Sequence, residues 1–258
     1  MASRRLLVVL LFSFFCSYYA HASAGDQDAA VAGIATAHPL ATAAGFEVLE
    51  QGGNAFDAAV AISATIAVVE PMGSGFGGGG FWLLHREADG LQVMLDGREA
   101  APAAATSTMY LDEQGNVIKG LSLNGALAAA IPGMPAALSH LASRYGRLPL
   151  RESLKPAIRA AEQGFAVYPR YNKLLEFRKP HLNAEARRIF LAPGGDLPAL
   201  GTVIRQPELA STLRRLAIAG RDGFYRGETA KLLLSAVRDA NGIWTQQDLD
   251  NYRVIERK

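Results

Sequence analysis

The sequence predicts a mixed fold of the α/β (α+β) class, and three observations carry that expectation. The alanine-rich stretch "AFDAAVAISATIAVV" at 55–69 has the length and the flanking cap of a buried helix. Two apolar runs, "FWLLHR" and "LQVMLDG", follow it with the spacing of paired strands. Beyond them, up to residue 251, comes a series of helix-period segments punctuated by Gly and Pro, so one chain carries both kinds of element.

Taken in order, "AAVAGIATAH" at 29–38 reads as a short buried strand leading into a helix that starts near Pro39, because proline is tolerated in a first helical turn. That helix ends at Gly52 and Gly53. Asn54 caps the next one, with Asp57 three residues on in the place that reaches back in a capping box. The helix stops before Glu70 and Pro71. The two strands then join near Asp89 and Gly90, and a small hairpin-like turn is expected at Gly115 and Asn116. Helices are expected up to Gly146, up to Gly164, in shorter pieces over 170–190, after Pro207, from about Glu228 to Ala240, and in "TQQDLDNY". In "YRVIERK" the residues Tyr252, Val254 and Ile255 alternate among charges as a strand does, and the chain stops inside that pattern.

The run "GSGFGGGG", 73–80, matches the dinucleotide pattern G-x-G-x-x-G through Gly73, Gly75 and Gly78. That pattern holds a pyrophosphate only where it follows a strand and opens a helix, whose free N–H groups do the holding. Here the order is reversed: a helix precedes and a strand follows. No Gly-Lys-Ser/Thr follows to make a phosphate loop either. The expected reason for the glycines is a backbone packed too closely for side chains.

Arg4 and Arg5 precede the apolar run "LLVVLLFSFFCSYYA", which ends at the small residues of "AHASAG". This is the layout of a secretory signal peptide over residues 1–24, with cleavage after Ala22 or Ala24, and it points to a periplasmic or secreted product without a stable membrane anchor. "SRRLL" also resembles a twin-arginine signal, but the strongly apolar run favours the general secretory route. Without Arg4 and Arg5 the 26 basic residues become 24, equal to the 24 acidic ones, and no basic stripe suggests nucleic acid. The single cysteine, Cys16, lies in that leader. Residues 25–258 therefore have no disulfide and no thiolate. The five histidines, at 21, 38, 85, 140 and 181, share no metal-ligand spacing, and the chain carries no cofactor motif.

Eight segments occur in the order found in γ-glutamyltransferases (glutathione hydrolases). They are "HPLATAAGFEVLEQGGNAFDAAVA", "VVEPMGSGFGGGGF", "DGREAAP", "AIPGMPAAL", "YGRLPLRESLKPAIRAAEQGF", "QPELASTLRRLA", "DGFYRGETA" and "DLDNYRVIERK". The chain resembles that family from about residue 29 to its end. The resemblance implies an N-terminal nucleophile hydrolase fold, two sheets between helix layers, made as a precursor that cuts itself into a large and a small subunit. A new N-terminal threonine of the small subunit would be the nucleophile, its own amino group acting as base. The γ-glutamyl group of glutathione would pass to that threonine, and then to water or to an amino acid or peptide.

On this resemblance residues 25–258 are the N-terminal part of the large subunit, lack the nucleophilic threonine and are inactive alone. Thr106 and Thr108 in "ATSTM" have no paired base in the sequence and are not read as nucleophiles. The one site residue the resemblance assigns is Arg98 of "DGREAAP", which would grip the α-carboxylate of the γ-glutamyl donor; a planar guanidinium makes two charge-assisted bonds to a carboxylate. Asp96 and Glu99 stand beside it to orient it. Two readings stay open: part of an enzyme precursor, partnered by its small subunit, or a non-catalytic exported protein that binds γ-glutamyl or amino-acid ligands through Arg98.

Overall fold

The computed structural model describes residues 32–258. It divides into two units, residues 1–35 and 36–258, and of the first only 32–35 are described. The leader expected at 1–24 lies outside the described residues, as do residues 29–31 of the expected first strand. Residues 32–38 form no strand, which corrects that expectation. A strand exists by pairing, and a short apolar run does not say whether a neighbour lies beside it.

Helix α1, Pro39–Glu50, starts on its proline as expected, and its cap is an imidazole: His38 Nδ1 accepts from the N–H of Leu40 at 3.2 Å. It buries Ala41, Ala44 and Val48 against α2, Ala55–Val69. At the start of α2 the Asn54 Oδ1 accepts from the N–H groups of Phe56 and Asp57 at 2.9 and 3.1 Å, and Asp57 Oδ2 accepts from the N–H of Asn54 at 2.9 Å. Asp57 does more than cap. It also accepts from the N–H groups of Arg147 and Leu148 at 2.8 and 3.3 Å, and so is fully buried with its charge satisfied. Helix α2 is the central rod of this unit, with buried residues all round it. Each fully buried valine such as Val60 or Val68 contributes about 1.5 kcal/mol or more through the area it removes from water.

Strands β1, Gly80–Arg86, and β2, Leu91–Gly97, pair antiparallel, joined by a short 3-10 turn and Gly90 in the left-handed region at φ 67°. Helices α3, Met134–Tyr145, and α4, Leu150–Gln163, pack on α2 and end at Gly146 and Gly164. Then follow α5 Pro169–Arg178, α6 Ala184–Phe190, α7 Pro207–Ala219, α8 Asp222–Tyr225, α9 Gly227–Asp239 and α10 Gln246–Asn251. Between them β3, Phe165–Ala166, and β4, Val203–Ile204, form a two-residue ladder. The last strand, β5, Ile255–Arg257, pairs with β2, so the sheet order is β1-β2-β5 with β2 central.

The two faces of this sheet differ. Leu84, Val93 and Leu95 point into the core against the helices, and Trp82 Nε1 donates to Ser63 Oγ of α2 at 3.0 Å. Glu256 stitches β5 to α3 by accepting from His140 Nε2 and Tyr145 Oη, each at 2.7 Å. These bonds, His140 first, hold its carboxyl below the ordinary range. On the opposite face the register sets Phe81, Leu83, Met94 and Ile255 together, with Leu83 84% and Phe81 55% exposed. The same face also carries His85, Gln92 and the Asp96–Arg257 ion pair, so the sheet is backed by helices on one side and only partly apolar on the other.

Candidate functional site

Strand β2 delivers Arg98. Leu91, Val93 and Leu95 alternate into the core and hold the strand, which ends at Gly97 where no side chain fits. A Cβ there would lie 2.7 Å from Ala137 Cβ and 2.9 Å from the Trp82 ring. Two other glycines close on the same carbonyl: a Cβ on Gly79, or on Gly133 at the start of α3, would overlap Gly97 O. The N–H groups of Gly133 and Met134 both donate to Gly78 O, at 2.9 and 3.0 Å. Three motifs far apart in the chain thus converge on one peptide by having no side chains. For Gly78 and Gly79, the crowded backbone expected of the glycine run is what the structure has.

The backbone of Arg98 is fixed from both sides. Its N–H donates to Asp96 Oδ1 at 3.0 Å, and its carbonyl accepts from Tyr252 Oη at 2.6 Å. Asp96 Oδ2 in turn accepts from Arg257 Nε at 2.9 Å, with Arg257 Nη2 2.7 Å from the same oxygen. The Arg98 N–H first, and the Arg257 side chain after it, hold the Asp96 carboxyl below the ordinary carboxylate range, so it stays an anion. Two residues on, the chain is held as well, since Ala100 exchanges both backbone bonds with Ile131 at 3.1 and 2.8 Å.

The guanidinium itself is the free part. Its side chain is 59% exposed, and Nη1 lies 3.3 Å from Glu99 Oε2. That oxygen is buried and accepts no hydrogen bond among the described residues. Of the two orienting partners expected in sequence, Glu99 pairs with the guanidinium, whereas Asp96 acts on the backbone of Arg98. Thr106 and Thr108 are exposed in a turn-rich loop, and neither hydroxyl bonds a base among the described residues. Sequence reading missed Tyr252, Gly133 and Arg257. Tyr252 was expected within the terminal strand, but the strand begins at Ile255 and Tyr252 sits 154 residues from its partner Arg98, where no local pattern reports a contact.

The arrangement presents an exposed guanidinium from an immobilised strand end, and a planar guanidinium is able to make two charge-assisted bonds to a carboxylate. A family model described as gamma-glutamyltranspeptidase matches residues 41–258. The chain is 41% identical over 228 residues to the glutathione hydrolase proenzyme of Pseudomonas sp. (strain A14), an alignment covering 86% of this chain and 39% of that protein. It is similar to the crystal structure of Helicobacter pylori gamma-glutamyltranspeptidase, with a TM-score of 0.84 and 40% identity over 87% of this chain and 64% of that one. The Pseudomonas nitroreducens gamma-glutamyltranspeptidase complexed with L-DON gives 0.82 and 41%, over 88% and 66%.

The chain belongs to the γ-glutamyltranspeptidase family. Its described residues form part of an N-terminal nucleophile hydrolase fold. It spans about 39% of the length of the curated relative just described.

Proposed function

We propose that residues 25–258 serve as the N-terminal part of the large subunit of a γ-glutamyltransferase precursor, exported by a leader at 1–24, and that Arg98 binds the α-carboxylate of the γ-glutamyl donor. The observation that carries this reading is the contrast within Arg98: a backbone held at both N–H and carbonyl, and a guanidinium left exposed. A recognition residue needs that combination, because a fork must be aimed before it meets its ligand.

The partner is the small subunit of the same precursor, and the uncovered face of Phe81, Leu83, Met94 and Ile255 supports a second layer of that origin. The relatives' name, proenzyme, fits a chain that is cut in two. In the proposed reaction the threonine hydroxyl of the small subunit adds to the γ-carbonyl of glutathione while its amino group takes the proton. The cysteinyl-glycine amine then leaves with that proton, and water or an amino acid or peptide amine opens the resulting ester. Arg98 contributes binding and aim, not bond breaking.

The test uses the processed two-subunit enzyme and two γ-acyl anilide donors, one bearing the α-carboxylate and one lacking it. Arg98→Ala is expected to lower kcat/KM for the first donor by about thirtyfold to several thousandfold, the range for removing one member of a desolvated charge pair. Arg98→Lys is expected to fall between. Self-cleavage persists in both. Equal losses on the two donors, or none, would remove Arg98 from the site.

A further inference from the structure

The carbonyl that accepts from Tyr252 belongs to the peptide joining Arg98 to Glu99. Its orientation therefore sets the angle between a guanidinium and the carboxylate paired with it at 3.3 Å. We propose that Tyr252 is a positioning residue for Arg98, its hydroxyl fixing that peptide so that the guanidinium meets the donor carboxylate in one orientation. This rests on the reading of Arg98 given above and adds a residue to it.

The phenol is placed with more care than a buried hydroxyl in search of any acceptor needs. Its ring stacks on Tyr225, centroids 5.7 Å apart and planes 6° from parallel. Tyr225 is fully buried, donates to Pro132 O at 2.7 Å and accepts from the N–H of Ala136 at 3.3 Å. Arg221 lies 4.7 Å over the Tyr225 ring, and Arg221 Nη2 donates to the carbonyls of Leu249, Asp250 and Tyr252 at 2.9, 2.9 and 3.1 Å. One arginine thus ties the turn after α10 to the ring beneath it. Gly133 completes the device, because a Cβ there would overlap the Tyr252 hydroxyl as well as Gly97 O. Burial first, then the charges of Asp96 and Glu99, push the phenol up to about 12, so it is a proton donor throughout the physiological range.

Tyr252→Phe in the processed enzyme keeps the ring and the stack and removes only the donor. The expected result is a KM raised about threefold to tenfold for the donor with the α-carboxylate, the size of one neutral hydrogen bond. The turnover number stays within about twofold, and the donor lacking the α-carboxylate is handled as by the parent. In a double-mutant cycle Tyr252→Phe adds nothing once Arg98 is alanine, since it acts through Arg98 alone. Equal KM effects on both donors, full additivity with Arg98→Ala, or failure of Tyr252→Phe to self-process would make Tyr252 a merely structural residue. If Arg98→Ala discriminates the donors and Tyr252→Phe does not, this inference falls and the assignment of Arg98 stands. If Arg98→Ala itself fails to discriminate, both fall.

Discussion

Within the stretch 73–80, Gly77 has open space where a Cβ would stand and Gly73 and Gly75 have their nearest neighbour at 4.0 Å, whereas two residues after Gly77 a Cβ on Gly79 would overlap Gly97 O and lie 3.0 Å from Arg98 Cα. None of these glycines has a positive φ, so left-handed backbone explains neither half. The crowded half is accounted for by this chain: it lets the strand end that carries Arg98 close against the start of α3. The open half is not accounted for by its own surroundings. Gly75 and Gly77 instead line a cavity of this chain together with Phe190, Leu209 and Leu232, so a side chain there would meet open space. Repetition of one residue type is therefore not one constraint.

An alanine series along the run tests whether its two halves carry different constraints. The largest effect is expected at Gly79→Ala, because the atoms it meets are backbone and cannot swing aside. The overpacking costs about 3 kcal/mol, which lowers the thermal midpoint of the assembled protein by about 2 to 4 °C. Gly78→Ala is intermediate. Its Cβ meets Glu99 Oε1 at 3.2 Å and Gly75 O at 3.3 Å, and the carboxylate is the part that yields. The expected outcome is a stability loss of about 1 kcal/mol together with a KM for the carboxylate-bearing donor raised about threefold, because the partner of Arg98 has moved. The smallest effect is expected at Gly77→Ala, within about 0.5 kcal/mol in the thermal unfolding of this chain alone. A penalty in the chain equal to that of Gly79→Ala destroys the distinction.

Much of the fold was legible because its determinants are local. Asn54 and Asp57 announce α2, Gly90 marks the β1–β2 turn, and Pro207 opens α7, each through its own backbone chemistry. The His38 cap was not legible, since imidazole is an uncommon acceptor at that position. Strands β3 and β4 are two residues long and leave no period to read. Of the proposed site, only Arg98 was named in sequence, through a motif. Its supports were not, because Asp96 to Arg257 and Arg98 to Tyr252 are contacts across the chain, and the role of Asp96 on the backbone looks in sequence the same as a role on the guanidinium.

The pairing of β2 with β5 also has a time attached to it. Asp96 and Arg257 are 161 residues apart, so the β1–β2 hairpin emerges from the ribosome long before its third strand exists. At about 5 to 20 residues per second that wait is roughly 8 to 32 s, far longer than a hairpin takes to form. Throughout it β2 is an open edge, the part of a nascent chain most prone to pairing with a neighbouring copy. The carboxylate that later receives Arg257 stands at that edge uncompensated, and a bare charge on a waiting strand deters a like strand from docking there.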